Sequence, residues 1–323
     1  MTTALIGPGG SHAVQPEDQS FSAREVPWMK LGKLVDKPVT AAEAAKLGGI
    51  DFTVSEMPVY FMKKDAGAPP KFTEVKDRKA IIRDDTGDWL SIVSKPYPVL
   101  QYGEAFDFLD GVSPDFVAAG SLRKGKQAFM VVKAPQSSMI TPFADDAHDL
   151  YATLRTSHDC SRAVEVMVMP LRQRCMNQLT LASFRSSVKH RWVITHTGDV
   201  KAKLAAAADT MSRLDLYAKA YVANAQRLLE IKVTTDSAHE ILRRVLPDRP
   251  RRDEVIEKIT TAWHTRTETV GYDGTGWGLV NAVSEYFEWD RAGGSAESRF
   301  LAAMQGQTHK AINKTAGLLL SRS

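Results

Sequence analysis

Cysteine is scarce in this chain, and long apolar runs are missing. Two cysteines in 323 residues cannot form a disulfide framework, so a reducing compartment, the cytoplasm of a bacterial host, is expected. No apolar run approaches the roughly 20 residues that span a bilayer, so neither a transmembrane helix nor a membrane partner is predicted. The N-terminal residues lack a basic segment followed by an apolar one, which argues against a signal peptide. No pair of carboxylates stands out as an acid and a base, and nothing in the sequence requires an enzyme.

Charge is distributed unevenly along the chain. The whole chain has 42 Lys and Arg against 38 Asp and Glu, a net charge of +4. Residues 1–150 carry 17 basic and 20 acidic residues, which leaves 25 basic and 18 acidic residues for 151–323. A basic second half suggests a polyanionic partner without identifying it.

The apolar pattern predicts an α+β fold. Residues 1–23 are rich in Gly, Ser, Pro and Gln and are expected to form a flexible arm. Residues 24–197 are predicted to form a sheet-rich core built from antiparallel hairpins at 79–95, 117–135 and 149–175. A long amphipathic helix is predicted over 200–233, followed by further helices up to residue 320. Residues 198–323 would thus form a helical part that packs on the same core.

Two threonines are predicted to cap helices. Thr40 precedes AAEAAKL, which ends at Gly48 and Gly49, as helices commonly do. Thr275 lies in GYDGTGWG, just before the predicted helix WGLVNAVSEYFEW. The glycines of this segment resemble a phosphate loop, but no strand precedes them and the Lys-Ser/Thr ending is missing. A turn with a helix cap is the preferred interpretation.

The segment from Leu154 to Trp192 contains most of the candidate chemistry. His158, Asp159, Cys160 and Cys175 could bind a metal, but the close ligand pairs of a structural zinc site are missing. Cys160 could act as a nucleophile with His158, yet the two lie across a turn with nothing to orient the histidine. We therefore expect no metal, no cofactor and no catalytic residue.

The basic residues of the same segment support a stronger hypothesis. Guanidinium groups, neighbouring polar donors and an aromatic face suit a phosphate backbone with unstacked bases. The alternative is a solvated charged surface, partly neutralised by the acidic first half. The candidate nucleic-acid-binding residues are Arg155, Arg162, Arg172, Arg174, Arg185, Lys189, Arg191, Trp192, Lys201 and Lys203, with Arg123, Lys124 and Lys126 at a hairpin tip as a second contact.

A series of motifs runs in order along most of the chain. They are W-x-x-L-G, EAA…GGIDFTV, RDDTGDWLSIVSKPYPVLQYGEAFDFLD, AAGSLRKGKQAFMVVKAP, TSHDCS, PLRQRCMNQL, HTGDV and GTGWGLVNAVSEYFEWDR. Together they resemble the phage- and plasmid-associated protein family that carries the domain of unknown function 932. The chain departs from that family at WMKLG, where a His-Gly pair is usual after the Trp, and at Cys160, where Gly is common. The resemblance implies a mobile-element gene. At the level of architecture alone, the chain also resembles single-strand annealing proteins of phage recombination.

The leading hypothesis is a non-catalytic protein that binds single-stranded DNA, anneals it in recombination or replication, and works as a homo-oligomer. The alternative is a protein-interaction module, such as an inhibitor of a host defence enzyme or a scaffold in a phage replication complex. A divergent nuclease stays open as a third class.

Overall fold

The structure is a computed structural model of the full chain. It describes residues 4–5, 39–67, 69–111, 115–134, 141–143, 146–173, 179, 181, 191–195, 202, 204, 214–266, 271–291 and 293–321. Most of the predicted N-terminal arm and the predicted domain boundary at 197/198 lie outside these residues.

A six-stranded antiparallel sheet forms the centre of the molecule. Its order is β1-β5-β6-β7-β8-β9, so neighbouring strands from β5 onward are also neighbours in sequence. Short turns join β5 to β6 and β7 to β8, and such hairpins pair strands antiparallel. Ala4 and Leu5, inside the predicted arm, pair with β5 at Ala119 and Ala118. The strands are β1 (Ala4–Leu5), β5 (Phe116–Leu122), β6 (Gln127–Lys133), β7 (His148–Ser157), β8 (Val164–Arg172) and β9 (Arg191–Ile194).

A second, three-stranded antiparallel sheet precedes most of the first in sequence. Its order is β2-β3-β4, with β2 at Val54–Lys63, β3 at Lys71–Arg83 and β4 at Trp89–Ser94. The predicted hairpin at 79–95 is therefore present. Its first strand is longer than predicted, because it also pairs with β2.

Helices make up most of the remainder. Thr40 caps α1 in a capping box with Glu43, and Thr275 caps α6 by accepting from the Gly278 N–H, so both predicted caps are confirmed. The helices are α1 (Ala41–Leu47), α2 (Tyr102–Phe106), α3 (Leu214–Glu230), α4 (Thr235–Val245), α5 (Arg252–Thr265), α6 (Gly276–Glu285), α7 (Ala296–Gln305) and α8 (Gln307–Leu320). A 3₁₀ turn at Asp107–Gly111 follows α2, and a π turn at Tyr286–Asp290 follows α6. The sheets in the first two-thirds and the helices behind them confirm the predicted α+β class.

The predicted C-terminal helix is divided at Gly306. A Cβ at this position would lie 2.6 Å from the Ala302 Cα, so only glycine allows the chain to turn this closely. The turn sends α7 and α8 in different directions. Phe300 and Met304 of α7 pack on one face of the large sheet, and α8 packs among α3–α6.

The central strands β7 and β8 are buried along their whole length. One face holds Leu154 and Val166, which pack with α1, α2 and the inner face of the small sheet. Leu150 and Val168, nearer the end of that face, pack with the helices. The opposite face is covered in part by α7. Strands buried on both faces read as continuous apolar runs rather than as an alternating pattern.

No helix among the residues described above is long and apolar enough to cross a membrane.

Candidate nucleic-acid interface

Arg155 and Arg172, two of the predicted phosphate ligands, lie in the interior. Both side chains are fully buried. Arg155 donates to Glu165 at 2.8 Å, and Arg172 donates to Asp146 at 2.5 Å and to Asn281 at 3.1 Å. A buried guanidinium with a carboxylate partner is a structural group that a phosphate in solvent cannot reach. Neither residue is therefore kept in the candidate interface.

Arg155 belongs to a buried chain of charges on one face of the large sheet. Arg155 lies directly opposite Glu165 in the β7–β8 pair, and Arg191 of β9 donates to the other oxygen of Glu165 at 2.8 Å. Burial would raise the pKa of the Glu165 carboxyl, but the hydrogen bond and charge of Arg155, with those of Arg191, lower it. Glu165 therefore stays ionised and holds both arginines. Arg191 is the exposed end of this chain, with 40% of its side chain accessible.

The remaining predicted residues of this segment are dispersed. Trp192 is half-buried and packs against both the helical core and the core beneath the small sheet, so it does not offer an open face for a base. Arg162 is half-buried at the β7–β8 turn. The other five predicted cations lie outside the described residues: Arg174, Arg185, Lys189, Lys201 and Lys203.

The deepest polar group links the large sheet to the helices. His148 and Arg172 are opposite each other at the end of the β7–β8 pair. The Tyr221 hydroxyl of α3 lies 2.9 Å from His148 Nδ1, and His148 Nε2 lies 3.4 Å from Asp146. Burial would raise the pKa of the Asp146 carboxyl, but the His148 hydrogen bond and the Arg172 charge lower it to about 2. Burial lowers the pKa of His148. The group has no access to solvent and serves as a joint between the two parts of the fold.

The structure offers no support for a nucleophile or a metal centre in the described residues. Burial raises the pKa of the Cys160 thiol, whereas a reactive cysteine needs a lowered pKa. The His158 ring is buried and stacks on Tyr102 at 4.0 Å between centroids. Within the described ranges, no three His, Cys, Asp or Glu side chains come together as metal ligands.

The tip of the β5–β6 hairpin is, besides Arg191, an exposed part of the predicted surface. Arg123 and Lys124 are exposed and have φ angles of 51° and 58°. Residues other than glycine rarely adopt this left-handed backbone conformation, but here it allows the tight turn that ends at Gly125. The Lys126 ammonium lies 4.5 Å above the centre of the Trp89 ring. The predicted tip therefore adjoins the small sheet.

The small sheet turns an apolar face to solvent. Directly opposed residues across its strands form the row Met57–Ala80–Ile92 and the pair Ile82–Trp89, with Ser55 opposite Ile82 on the third strand. Trp89 is 62% exposed, and Met57 and Ile92 are also more than half exposed. We call the five side chains of this row and this pair the outer face. The inner face is buried instead, and Ser91 on it donates to the main chain of His158 at 2.5 Å.

Beyond the outer face, β2 and β3 continue as a two-stranded projection. We call residues 59–76 the hairpin arm. Almost all of its described residues are exposed, because no third strand pairs there. Met62 pairs directly with Phe72, and Lys63 pairs directly with Lys71. Because side chains alternate along a strand, one side of the arm holds Tyr60, Met62 and Phe72. The other side holds Phe61, Lys63 and Lys71. Phe72 is 64% exposed.

Like charges face each other on the arm. Lys63 and Lys71 are directly opposite, and such a pair destabilises a hairpin in water. Lys63 has one exposed carboxylate neighbour, Asp65, at 3.4 Å. Lys64, Lys71 and Lys76 form no ion pair with any described residue. Exposed aromatics interleaved with unneutralised lysines are typical of surfaces that hold single-stranded nucleic acid.

Comparison with models of known protein families gives a match for this chain. The model of a domain of unknown function, DUF932, matches residues 89–316. The chain belongs to the DUF932 family. The DUF932 match begins at Trp89 of the outer face and includes the Arg123–Lys126 tip, whereas the hairpin arm lies before it. No curated protein and no solved structure matches this DUF932 chain.

The hairpin arm is the feature that the sequence analysis missed. Its signal was present in VYFMKK and KFTEVK, two β-forming segments with lysines on either side of GAPP. The β-forming segment DFTVSEMPVYF predicts a strand over 51–61 only, and the lysines, glycine and prolines after it are not typical of a strand. The next hairpin is predicted to begin only at Lys79.

Proposed function

We propose that this protein binds single-stranded nucleic acid, without catalysing a reaction, through the outer face and hairpin arm of its small sheet. The observation that carries the proposal is the opposed pair Lys63 and Lys71, which shares one side of the arm with the exposed ring of Phe61. The exposed ring of Phe72 lies on the other side of the arm. A phosphate backbone lying across the pair would relieve its repulsion, and unstacked bases would cover the rings.

The Arg123–Lys126 tip extends this surface. The Lys126 ammonium lies above the Trp89 ring, 4.5 Å from its centre, and a cation above an indole face is a favourable arrangement. Arg123 and Lys124 extend the positive charge past the edge of the outer face. A strand following the arm would thus meet a second group of cations after leaving the aromatic side chains.

The biological setting belongs to the same proposal. A phage or plasmid gene, acting in a bacterial cytoplasm in DNA recombination or replication, fits the resemblance described for the sequence. Annealing of complementary strands by a homo-oligomer is the activity that we propose for it.

A protein-interaction module is the second candidate. Met57 and Ile92 on the outer face are apolar and more than half exposed, and an exposed apolar patch marks a protein interface as readily as a base-stacking one. Gel filtration with and without an oligonucleotide separates the candidates. A nucleic-acid-binding protein changes its elution only when the oligonucleotide is added.

The test is fluorescence anisotropy with labelled single- and double-stranded oligonucleotides at two salt concentrations. The variant Lys63→Ala/Lys71→Ala should bind the single strand more weakly. The slope of log affinity against log salt should flatten by about 0.7 for each phosphate that is no longer neutralised, or about 1.4 for the pair. The variant Phe61→Ala/Phe72→Ala should lose at least about tenfold in affinity, because each stacked base contributes about 1–3 kcal/mol.

Stability distinguishes a binding role from a structural one. Removing the opposed lysines should leave the free energy of unfolding unchanged or slightly higher, since a repulsion disappears. Lys46→Ala/Lys314→Ala removes two exposed lysines from α1 and α8 and serves as the matched control, with unchanged binding. Binding that is equal in wild type and in both arm variants would overturn the proposal, as would no binding at low salt.

A further inference from the structure

The surface of the helical part contains a groove lined by arginines. Two adjoining depressions, with volumes of about 150 and 260 Å³, share Phe287 and Arg291 as common lining residues. They lie where the α4–α5 corner, the π turn after α6 and the beginning of α7 meet. We call them together the arginine groove, after Arg249, Arg251, Arg252, Arg291 and Arg299.

Positive charge in the groove is poorly neutralised. No acidic side chain is among the described residues that line either depression. Arg252 pairs with Asp248 at 3.0 Å, and Arg291 donates to the Gln307 amide at 2.9 Å. Arg249, Arg251 and Arg299 form no ion pair with a described carboxylate. Several close guanidinium groups without carboxylates repel one another, and an anion between them removes that cost.

The floor of the groove is apolar and aromatic. Phe287 is almost fully buried, and the half-buried Tyr286 ring meets it edge to face, with centroids 5.3 Å apart and an interplanar angle of 83°. The Nε atoms of Arg252 and Arg299 are buried and donate to no described protein atom. Buried donors directed toward an anion are a property of phosphate sites.

The backbone at one end of the groove is open to close approach. Gly293 and Gly294 have φ angles of 90° and 96°, a conformation that side chains rarely adopt. At Gly293 the space that a Cβ would fill is open, so an anion can approach this main chain directly, whereas at Gly294 the Ser298 Oγ occupies that space.

The groove also adjoins the proposed nucleic-acid surface. The Glu297 carboxylate, in the first turn of α7, accepts from the Arg123 backbone N–H at 3.1 Å. Glu297 is the neighbour of Ser298, which lines the groove. The Arg123–Lys126 tip therefore lies between Trp89 on one side and the end of the groove on the other. The exposed Arg123 and Lys124 of the tip thus adjoin the end of the groove that contains the half-buried Arg299 and the exposed Arg291.

We propose that the arginine groove binds the phosphates of the same single strand that the hairpin arm holds, as the far end of one continuous path. The inference rests on the proposed function. It assigns a second site, on the helical part of the protein and outside the arm. It predicts that the affinity for single-stranded nucleic acid depends on the length of the strand.

The test uses Arg249→Ala/Arg251→Ala, which removes two exposed side chains. Anisotropy is measured with single strands of about 8 and about 30 nucleotides, since single-strand sites cover about 4–16 nucleotides for each module. The variant should lose about tenfold or more in affinity for the long strand, and its salt slope should flatten by about 1.4. Binding of the short strand should change less than about threefold, because the arm alone accommodates it.

The control is Arg243→Ala/Arg244→Ala, which removes two exposed arginines of α4 that do not line the groove. Its binding should equal that of the wild type. Circular dichroism shows that each variant remains folded.

The outcomes separate the inference from the function on which it rests. If the arm variants weaken binding but the groove variant binds both strands like the wild type, the inference is overturned and the proposed function stands. If the wild type binds neither strand, both fail. The last experiment is a titration with inorganic pyrophosphate. If the groove variant no longer binds pyrophosphate but binds the long strand like the wild type, the groove is a site for small anions, and the shared path is overturned.

Discussion

Replacement of Asp146 by Asn tests the buried joint between the sheet and the helices. Asp146 accepts from Arg172 at 2.5 Å and from the Tyr272 hydroxyl at 3.4 Å, with no exposed surface. Asparagine has nearly the same shape but no charge, so the Arg172 guanidinium would stay buried without a counterion. Breaking a buried pair in this way costs about 3–5 kcal/mol.

Such a loss is a large part of the total stability of a protein, about 5–15 kcal/mol. The assay is urea unfolding at about pH 7, followed by circular dichroism. Glu254→Gln is the matched control, because it breaks the exposed pair with Lys258, and a solvent-exposed pair contributes little to stability. A loss below about 1 kcal/mol in Asp146→Asn would refute the reasoning.

The same joint predicts how stability changes with pH. The pKa of Asp146 is lowered in the folded state from 3.8 to about 2, so its stabilising effect is present above about pH 4 and is lost as the pH falls toward 2. At about 1.4 kcal/mol for each pKa unit, this effect is on the order of 2 kcal/mol. Burial also lowers the pKa of His148. The unfolded chain therefore takes up a proton below about pH 6.5 that the folded chain does not, and stability begins to fall there. In Asp146→Asn, the free energy of unfolding should no longer fall below pH 4. If it depends on pH there as in the wild type, the assignment to Asp146 is wrong.

Three further predictions concern single positions. Gly278→Ala should destabilise by more than about 2 kcal/mol, because the new Cβ would lie 2.1 Å from the Tyr272 carbonyl oxygen; a urea midpoint equal to that of the wild type would contradict this. Thr40→Ala should cost about 1 kcal/mol through loss of the α1 capping box, and Thr40→Ser, measured in the same way, should recover most of it. Cys160, studied in a Cys175→Ser background, should react with iodoacetamide at a rate that rises with a midpoint above its ordinary pKa of 9.0; a midpoint near neutrality would instead identify an activated thiol.

Local patterns were sufficient to predict much of the fold. Apolar runs on both sides of a turn rich in Asp and Gly and of the RKGK turn predict the hairpins β3–β4 and β5–β6, because such turns pair adjacent strands. Thr40 and Thr275 predict the beginnings of α1 and α6, since a threonine before a helical segment satisfies its first N–H groups. These signals depend only on residues a few positions apart.

The candidate site could not be predicted equally well, because burial depends on distant residues. Arg172 lies at the end of β8, within the hairpin predicted at 149–175. Its partners Asp146 and Asn281, however, are 26 and 109 positions away, and only the folded chain shows that they enclose it. The arginines of the groove come from two segments about 40 residues apart, 249–252 and 291–299, which α5 and α6 separate in sequence. The sequence shows that both segments are basic, but it does not show that they lie next to each other in the folded chain.

The position of α7 and α8 in the chain has a consequence for synthesis on the ribosome. Phe300 of α7 stacks near Phe129 of β6, with ring centroids 4.6 Å apart, and α8 completes the core among the other helices. Both helices are translated after every strand that they help to cover. During elongation, the face of the large sheet around Phe129 therefore stays open to water, and the nascent chain must be kept from aggregating until α7 has left the exit tunnel.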